Sequence, residues 1–226
     1  LEKTEHGGVL RMTAFYETPY SLSVDWPATG FTGRSMKTAP AGAVRLIGGQ
    51  WKRTRLPVAD KPGLRPTPDR VRETLFNWLG QDLAGWRCID VFAGTGALGF
   101  EAASRGAAQV RLVEHDGELV AQLQAIRLKL QANTVEVERG DGLRALGQLA
   151  PASMDLVLLD PPFDAGLFEA AVQAAGRAVA SGGYVYLEAP SAWRDDMLAA
   201  AGLMVHRHLK AGAVHAHLLI PRTSGD

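Results

Sequence analysis

A single cysteine, Cys88, occurs in the 226 residues. One thiol excludes an internal disulfide and any metal cage built from cysteine alone. Its place ahead of an apolar run reads as a small core residue. No stretch approaches the roughly 18 uninterrupted apolar residues that suggest a membrane-spanning helix. The amino-terminal region has no basic patch followed by an apolar segment and a small-residue cleavage site, so no secretory signal is expected. Internal repeats and low-complexity tracts are missing as well. The expectation is a cytoplasmic protein with no membrane partner. Nothing in the pattern calls for a second copy, so a monomer is expected.

Net charge is missing too, because 24 Lys and Arg balance 24 Asp and Glu. The distribution is uneven. Residues 44–73 carry eight basic residues against three acids, a net +5, whereas residues 74–226 carry twelve against seventeen. Such asymmetry predicts a local polyanion-binding edge on a neutral body. A solvated basic loop is the simpler reading of that segment taken alone.

What is present divides into three parts. Residues 1–42 are rich in Thr, Ser, Gly and Pro, lack periodicity, and read as irregular or disordered. Residues 43–80 predict a basic hairpin and a helix. Ala43 to Ile47 and Arg55 to Val58 read as short strands around Gly48-Gly49-Gln50-Trp51. Thr67-Pro68-Asp69 predicts a helix start with a hydroxyl N-cap, and Val71, Leu75, Trp78 and Leu79 supply its apolar stripe. In residues 81–226, apolar runs at 88–92, 110–113, 134–137, 156–159 and 184–187 alternate with helical stretches near 97–105, 117–131, 142–149 and 165–179. That alternation predicts a mostly parallel sheet covered on both faces. Residues 203–209 and 213–220 are joined too tightly for a parallel crossover and should pair antiparallel at one edge.

Two motifs carry chemistry. Asp90-Val91-Phe92-Ala93-Gly94-Thr95-Gly96-Ala97-Leu98-Gly99 follows a strand and opens a helix, and Glu114 lies twenty residues after Gly94. The glycines match a dinucleotide fingerprint, with Glu114 as its ribose-binding acid. Asp90, however, stands at the mouth of the strand, where its charge repels a pyrophosphate and suits a cationic ligand. Farther along, Leu156-Val157-Leu158-Leu159 runs into Asp160-Pro161-Pro162-Phe163. Two prolines fix the backbone and leave the Pro161 carbonyl free to accept. Asp160 adds a second acceptor, and Phe163 a stacking face. Two rigid acceptors and an aromatic ring suit a base amine, whose delocalised lone pair must be turned toward a methyl donor. A base reaches such a pocket only by leaving its stack.

With these motifs, the chain resembles class I (Rossmann-like) S-adenosylmethionine methyltransferases, and most closely the bacterial 16S rRNA (guanine(966)-N(2))-methyltransferase family. The resemblance rests on Arg45 to Trp51, Gly63 to Leu79, Phe92 to Gly99 and Asp160 to Phe163, and covers residues 43–220. It implies a seven-stranded, mostly parallel sheet with an antiparallel last strand, S-adenosyl-L-methionine as cofactor, and 16S rRNA, within a small-subunit particle, as partner. By the same resemblance, Asp90, Phe92, Ala93, Gly94, Thr95, Gly96 and Leu98 border the methionine part of the cofactor. Glu114 holds the ribose, His115 lies beside the adenine, and Asp141 and Gly142 meet its amine. Arg65, Thr67 and Arg72 cap the cofactor or a substrate phosphate. Asp160, Pro161, Pro162 and Phe163 handle the guanine N2. Arg45, Gln50, Trp51, Lys52, Arg53, Arg55 and Arg70 contact RNA. Trp51 reads equally well as an anchor of the hairpin.

His206, His208, His215 and His217 form two His-x-His pairs on the last two strands, and alternation puts each pair on one face. Exposed strand histidines account for them, and no metal is expected. DNA adenine-N6 or cytosine-N4 methylation, an NAD-dependent oxidoreductase and a non-catalytic RNA-binding module remain as alternatives.

Overall fold

A computed structural model describes residues 42–62, 64, 66–163 and 166–222. The irregular segment expected over 1–42 therefore lies, Gly42 apart, outside the described residues, as does Arg65.

The five alternating apolar runs become parallel strands because both of their faces are covered. They are β3 (Arg87–Asp90), β4 (Gln109–Glu114), β5 (Val135–Arg139), β6 (Met154–Leu159) and β7 (Val179–Ala189). The preceding hairpin supplies β1 (Ala43–Arg45) and β2 (Arg55–Pro57), and the chain ends in β8 (Leu203–Ala211) and β9 (Val214–Pro221). The seven-stranded sheet has the order β5-β4-β3-β6-β7-β9-β8, with β9 antiparallel to both its neighbours. Cys88, Val110, Leu112, Leu156 and Leu158 face one apolar cluster, and Ile89, Val113, Val157, Leu159 and Leu187 face the other. Alternate side chains of each strand thus feed two cores.

The helices are α1 (Asp69–Trp78), α2 (Ala97–Ser104), α3 (Gly117–Lys129), α4 (Gly142–Gly147), α5 (Phe168–Ala178) and the short α6 (Asp195–Leu198). None of the described helices is long and apolar enough to cross a membrane. Three sequence expectations need correction. The N-cap of α1 is Pro68, with no side-chain cap, because the Thr67 hydroxyl is drawn to Asp160 and Glu188 instead. Strand β7 begins at Val179, five residues before the predicted Tyr184. A register shift opposite Met154 and Leu156 accommodates Ser181-Gly182-Gly183, which in sequence reads as a turn. The helical turn at 195–198 was not expected; its four residues are too few to show a period.

The hairpin is a separate two-stranded sheet, with Val44 opposite Leu56. Val44, Leu46 and Leu56 are buried in the same cluster as Leu75, Phe76 and Phe100, so hairpin, α1 and α2 share one core.

Candidate active site

The carboxyl ends of β3, β4, β6 and β7 meet at one edge of the sheet, where open α/β folds hold their ligands. At the end of β3, Asp90 is 1% exposed. Its Oδ2 accepts from the Gly99 amide at 3.0 Å, while Oδ1 is buried without a partner among the described residues. Burial, with the Glu114 and Glu188 charges adding to it, pushes this carboxyl up to about 7. An unpaired buried carboxylate oxygen is costly unless a cation or donor meets it, which fits the ammonium of a methionine moiety.

Gly96 is the N-cap of α2 at φ +77°. A Cβ there would stand 2.6 Å from Leu123 Cδ2, so both the left-handed backbone and the packing demand glycine. Ala93, Thr95 and Leu98 are buried around this turn, with Phe92 half-buried. Glu114, ending β4, accepts from the amides of Gly94 (2.8 Å) and Asp116 (2.9 Å). The acid thereby splints the glycine turn. His115 is exposed, with Nδ1 at 3.1 Å from Glu114. Asp141 caps α4 through the Arg144 amide at 2.7 Å, and Gly142 is buried beside the Val91 carbonyl.

Asp160 follows β6 directly. Burial lifts its carboxyl well above the ordinary range, and the charges of Glu188 and Asp90 add to the effect; the Thr67 hydroxyl partly offsets it. Asp160 and the glycine turn therefore border one site. Pro161 is buried and Pro162 exposed. Phe163 is 42% exposed, unusual for so large an apolar ring, and heads a row of aromatics with Phe168 and Trp193 at centroid spacings of 6.1 and 6.3 Å. The segment after β2 crosses this edge from β4 toward β7. Lys61 pairs with Asp116 and Glu118, the Leu64 side chain lies over Gly94, and Thr67 reaches Asp160 and Glu188.

With the site's geometry in view, comparison with known proteins places the chain. Residues 44–220 match the family described as Conserved hypothetical protein 95. The chain belongs to this family. Over 129 residues it is 47% identical to "Ribosomal RNA small subunit methyltransferase D" of Escherichia coli (strain K12), covering 57% of this chain and 65% of that protein. The match thus spans just under two thirds of that relative's length. The Haemophilus influenzae protein of the same name is 45% identical over 134 residues, 58% of this chain and 69% of its own. The solved structure of yhhF from Escherichia coli superposes with a TM-score of 0.68 at 35% identity, covering 80% of this chain and 99% of that one. The precorrin-6y C5,15-methyltransferase of Geobacter metallireducens shares only the fold, at 17% identity and a TM-score of 0.58, over 74% and 94% of the two chains. The fold is that of class I methyltransferases.

For this member of the Conserved hypothetical protein 95 family, the remaining expected contacts sort by burial. Arg72 is a correction. Its guanidinium is 0% exposed and donates to Thr67 O, Arg45 O, Asp69 and Glu101, so it braces the segment over the site and does not face a ligand. Trp51 is half-buried against the core, and its backbone amide donates to Ser104 Oγ at 2.9 Å, which ties the hairpin to α2. Arg45, Gln50, Lys52, Arg53, Arg55 and Arg70 are exposed. Arg45 pairs loosely with Asp69 at 3.3 Å.

The histidines depart from simple alternation. A bulge between Val205 and Arg207 turns His206 toward Tyr184 and puts His208 opposite His217. His208, His215 and His217 then offer nitrogens within 4.8 Å of one another. His217 is fully buried, accepts from the Trp193 amide at Nε2, and lies 3.3 Å from Leu187 O at Nδ1. Burial lowers it to about 4. His208 Nε2 and His215 Nδ1 bond to each other at 2.9 Å. A metal taking all three rings has to break these bonds first.

Glu188 was missed in the sequence. It is the last residue but one of β7, as Asp160 follows β6, and a lone acid near the end of a buried apolar strand was the available signal.

Proposed function

We propose that this chain is an S-adenosylmethionine-dependent methyltransferase acting on the exocyclic N2 amine of a guanine in small-subunit (16S) rRNA. The observation that carries the reading is that Asp160, at the mouth of β6, follows the strand next to β3, whose Asp90 keeps an unpartnered carboxylate oxygen beside the glycine turn and acts on Asp160 through its charge. One acid suits a base amine, and the other suits the cationic end of a methyl donor. The names of the relatives at 47% and 45% identity support the RNA substrate.

S-adenosylmethionine supplies an activated methyl group on a sulfonium. Asp90 holds the methionine ammonium, Glu114 the ribose hydroxyls, and Asp141 with Gly142 borders the adenine. Asp160 and the Pro161 carbonyl accept from the two N–H groups of the guanine amine, turn its lone pair toward the methyl and offset the positive charge developing on nitrogen. Phe163, already exposed, stacks on the flipped base. The exposed Lys52, Arg53 and Arg55 of the hairpin, with Arg45 and Arg70, grip RNA phosphates without reading sequence. The reading carries with it a small-subunit particle as substrate, a cytoplasmic location and a monomer.

The test is methyl transfer to undermethylated small ribosomal subunits, free 16S rRNA and duplex DNA, with mass spectrometry locating the product. Transfer to guanine N2 in rRNA is expected. A preference for duplex DNA rejects the substrate, and binding of NADH in place of S-adenosylhomocysteine rejects the cofactor.

A further inference from the structure

We propose that Glu188 is a positioning residue for Asp160. Side by side at the ends of β6 and β7, the two carboxyls form a pair that holds one proton and releases it to solvent when a cationic methyl donor enters. The proposal rests on the cofactor reading above.

Strand pairing brings the two acids together. Leu159 of β6 is in parallel register with Leu187 of β7, so the next residues of each strand, Asp160 and Glu188, stand side by side. Glu188 is 3% exposed, and Tyr186 donates its hydroxyl to Oε1 at 2.8 Å. The Thr67 hydroxyl stands by both carboxyls and favours the ionised form of each. A hydroxyl has one hydrogen to give. That hydrogen serves only one carboxyl at a time, so the other carries the cost of desolvation unrelieved and one proton is shared by the pair.

Charge leads to the same arrangement. The charges acting on Asp160 are those of Glu188 and Asp90, both negative. Arg72 of α1 acts on Glu188, but its guanidinium is already divided between Asp69 and Glu101. On the other side, β9 places Ala216 beside Glu188. Burial raises both acids. Three carboxyls short of cations, Asp90 and Glu188 buried and Asp160 half-buried, favour retention of a proton, and the pair titrates as a unit.

A sulfonium donor alters that balance. Its positive charge stabilises the ionised pair, one proton goes to solvent, and Asp160 becomes a full acceptor for the base amine. On transfer, an N–C bond forms, the S–C bond breaks with its electrons left on sulfur, and the amine nitrogen must lose a proton. The Asp160–Glu188 pair has a vacancy for that proton.

The experiment is calorimetry of S-adenosylmethionine and S-adenosylhomocysteine binding near neutral pH, in buffers of different ionisation enthalpy, with the intact chain. Asp90 meets the ammonium of either ligand, so its contribution is common to both. Greater proton release with S-adenosylmethionine is expected. Glu188→Gln keeps an acceptor for Tyr186 and should cut the difference by about half or more while binding persists. Equal release for the two ligands overturns the proposal even if the variant fails to fold, and so does a Glu188→Gln protein that releases as much as the parent. Failure of both ligands to bind rejects the cofactor reading instead.

Discussion

At the end of β3, Asp90 combines near-complete burial, a bonded Oδ2 and an unpartnered Oδ1, and its carboxyl is lifted from 3.8 to about 7. In the unfolded chain it ionises at its ordinary value, so between those two pH values the folded state binds the extra proton. Stability from this group is therefore greatest in acid and falls as pH rises toward 7; the full cost, on the order of 4 kcal/mol at most, is present above that. Asp90→Asn keeps an acceptor for Gly99 and removes the charge. The variant should melt higher than the parent at alkaline pH, with the gap closing as pH is lowered, and should bind S-adenosylmethionine more weakly. A melting series against pH checks the first outcome and calorimetry the second. Asp160→Ala should differ in its effect on the ligand, with turnover down about a hundredfold or more and cofactor binding nearly intact, measured by single-turnover methyl transfer and calorimetry. Asp90, Glu114 and Asp160 were legible as candidates because each stands at a fixed offset from a glycine turn or a strand end. Thr67 and Glu188 were not legible as their partners, because only the β6–β7 register and the path of the crossing segment bring them there. Arg72 was misread for a related reason: sequence shows a cation near a motif but not that its side chain is sealed inside.

Among the elements, α2 does two jobs. Its amino end carries the glycine turn, and its carboxyl half holds the hairpin. Glu101, fully buried, accepts from the Ile47 and Gly48 amides at 2.8 and 2.7 Å and pairs with Arg72 and Arg105. Glu101→Ala leaves two buried guanidiniums and two amides without it. A destabilisation of about 3–5 kcal/mol is expected in denaturant unfolding, with hydrogen exchange quickening first at residues 44–56. Gly49 makes the same docking specific. It lies at φ +73°, and a Cβ there would sit 1.8 Å from the Ser104 carbonyl oxygen, so Gly49→Ala should loosen the hairpin from α2. The hairpin, the strand–helix alternation and the antiparallel end were legible from periodicity and turn residues. What periodicity could not give was insertion of β9 between β7 and β8, since sequence order does not fix spatial order for a final hairpin. The bulge that separates His206 from His208 was hidden for the same reason, because an extra residue in one strand leaves no mark in a two-residue alternation.

For the molecule as a whole, the balance of 24 basic and 24 acidic residues conceals a division of labour. The acids proposed for the chemistry are buried or half-buried at the strand ends, while Lys52, Arg53 and Arg55 stand exposed on a hairpin tied to the same helix that carries the glycine turn. Under the proposed function, a body without net charge gains little long-range attraction to RNA, and the phosphate contact falls mostly to the local patch. Each phosphate neutralised releases counterions and adds about 0.7 to 0.9 to the slope of log affinity against log salt. Replacing Lys52, Arg53 and Arg55 together by alanine should lower that slope by about 2 and weaken RNA binding most at low salt. S-adenosylmethionine affinity should be unchanged, because none of the three supports Asp90, Glu114 or Asp160. Filter binding of 16S rRNA fragments over a salt series, beside calorimetry of the cofactor, measures both. An unaltered slope would remove the hairpin from the RNA interface and leave the net +5 of residues 44–73 as a solvated surface.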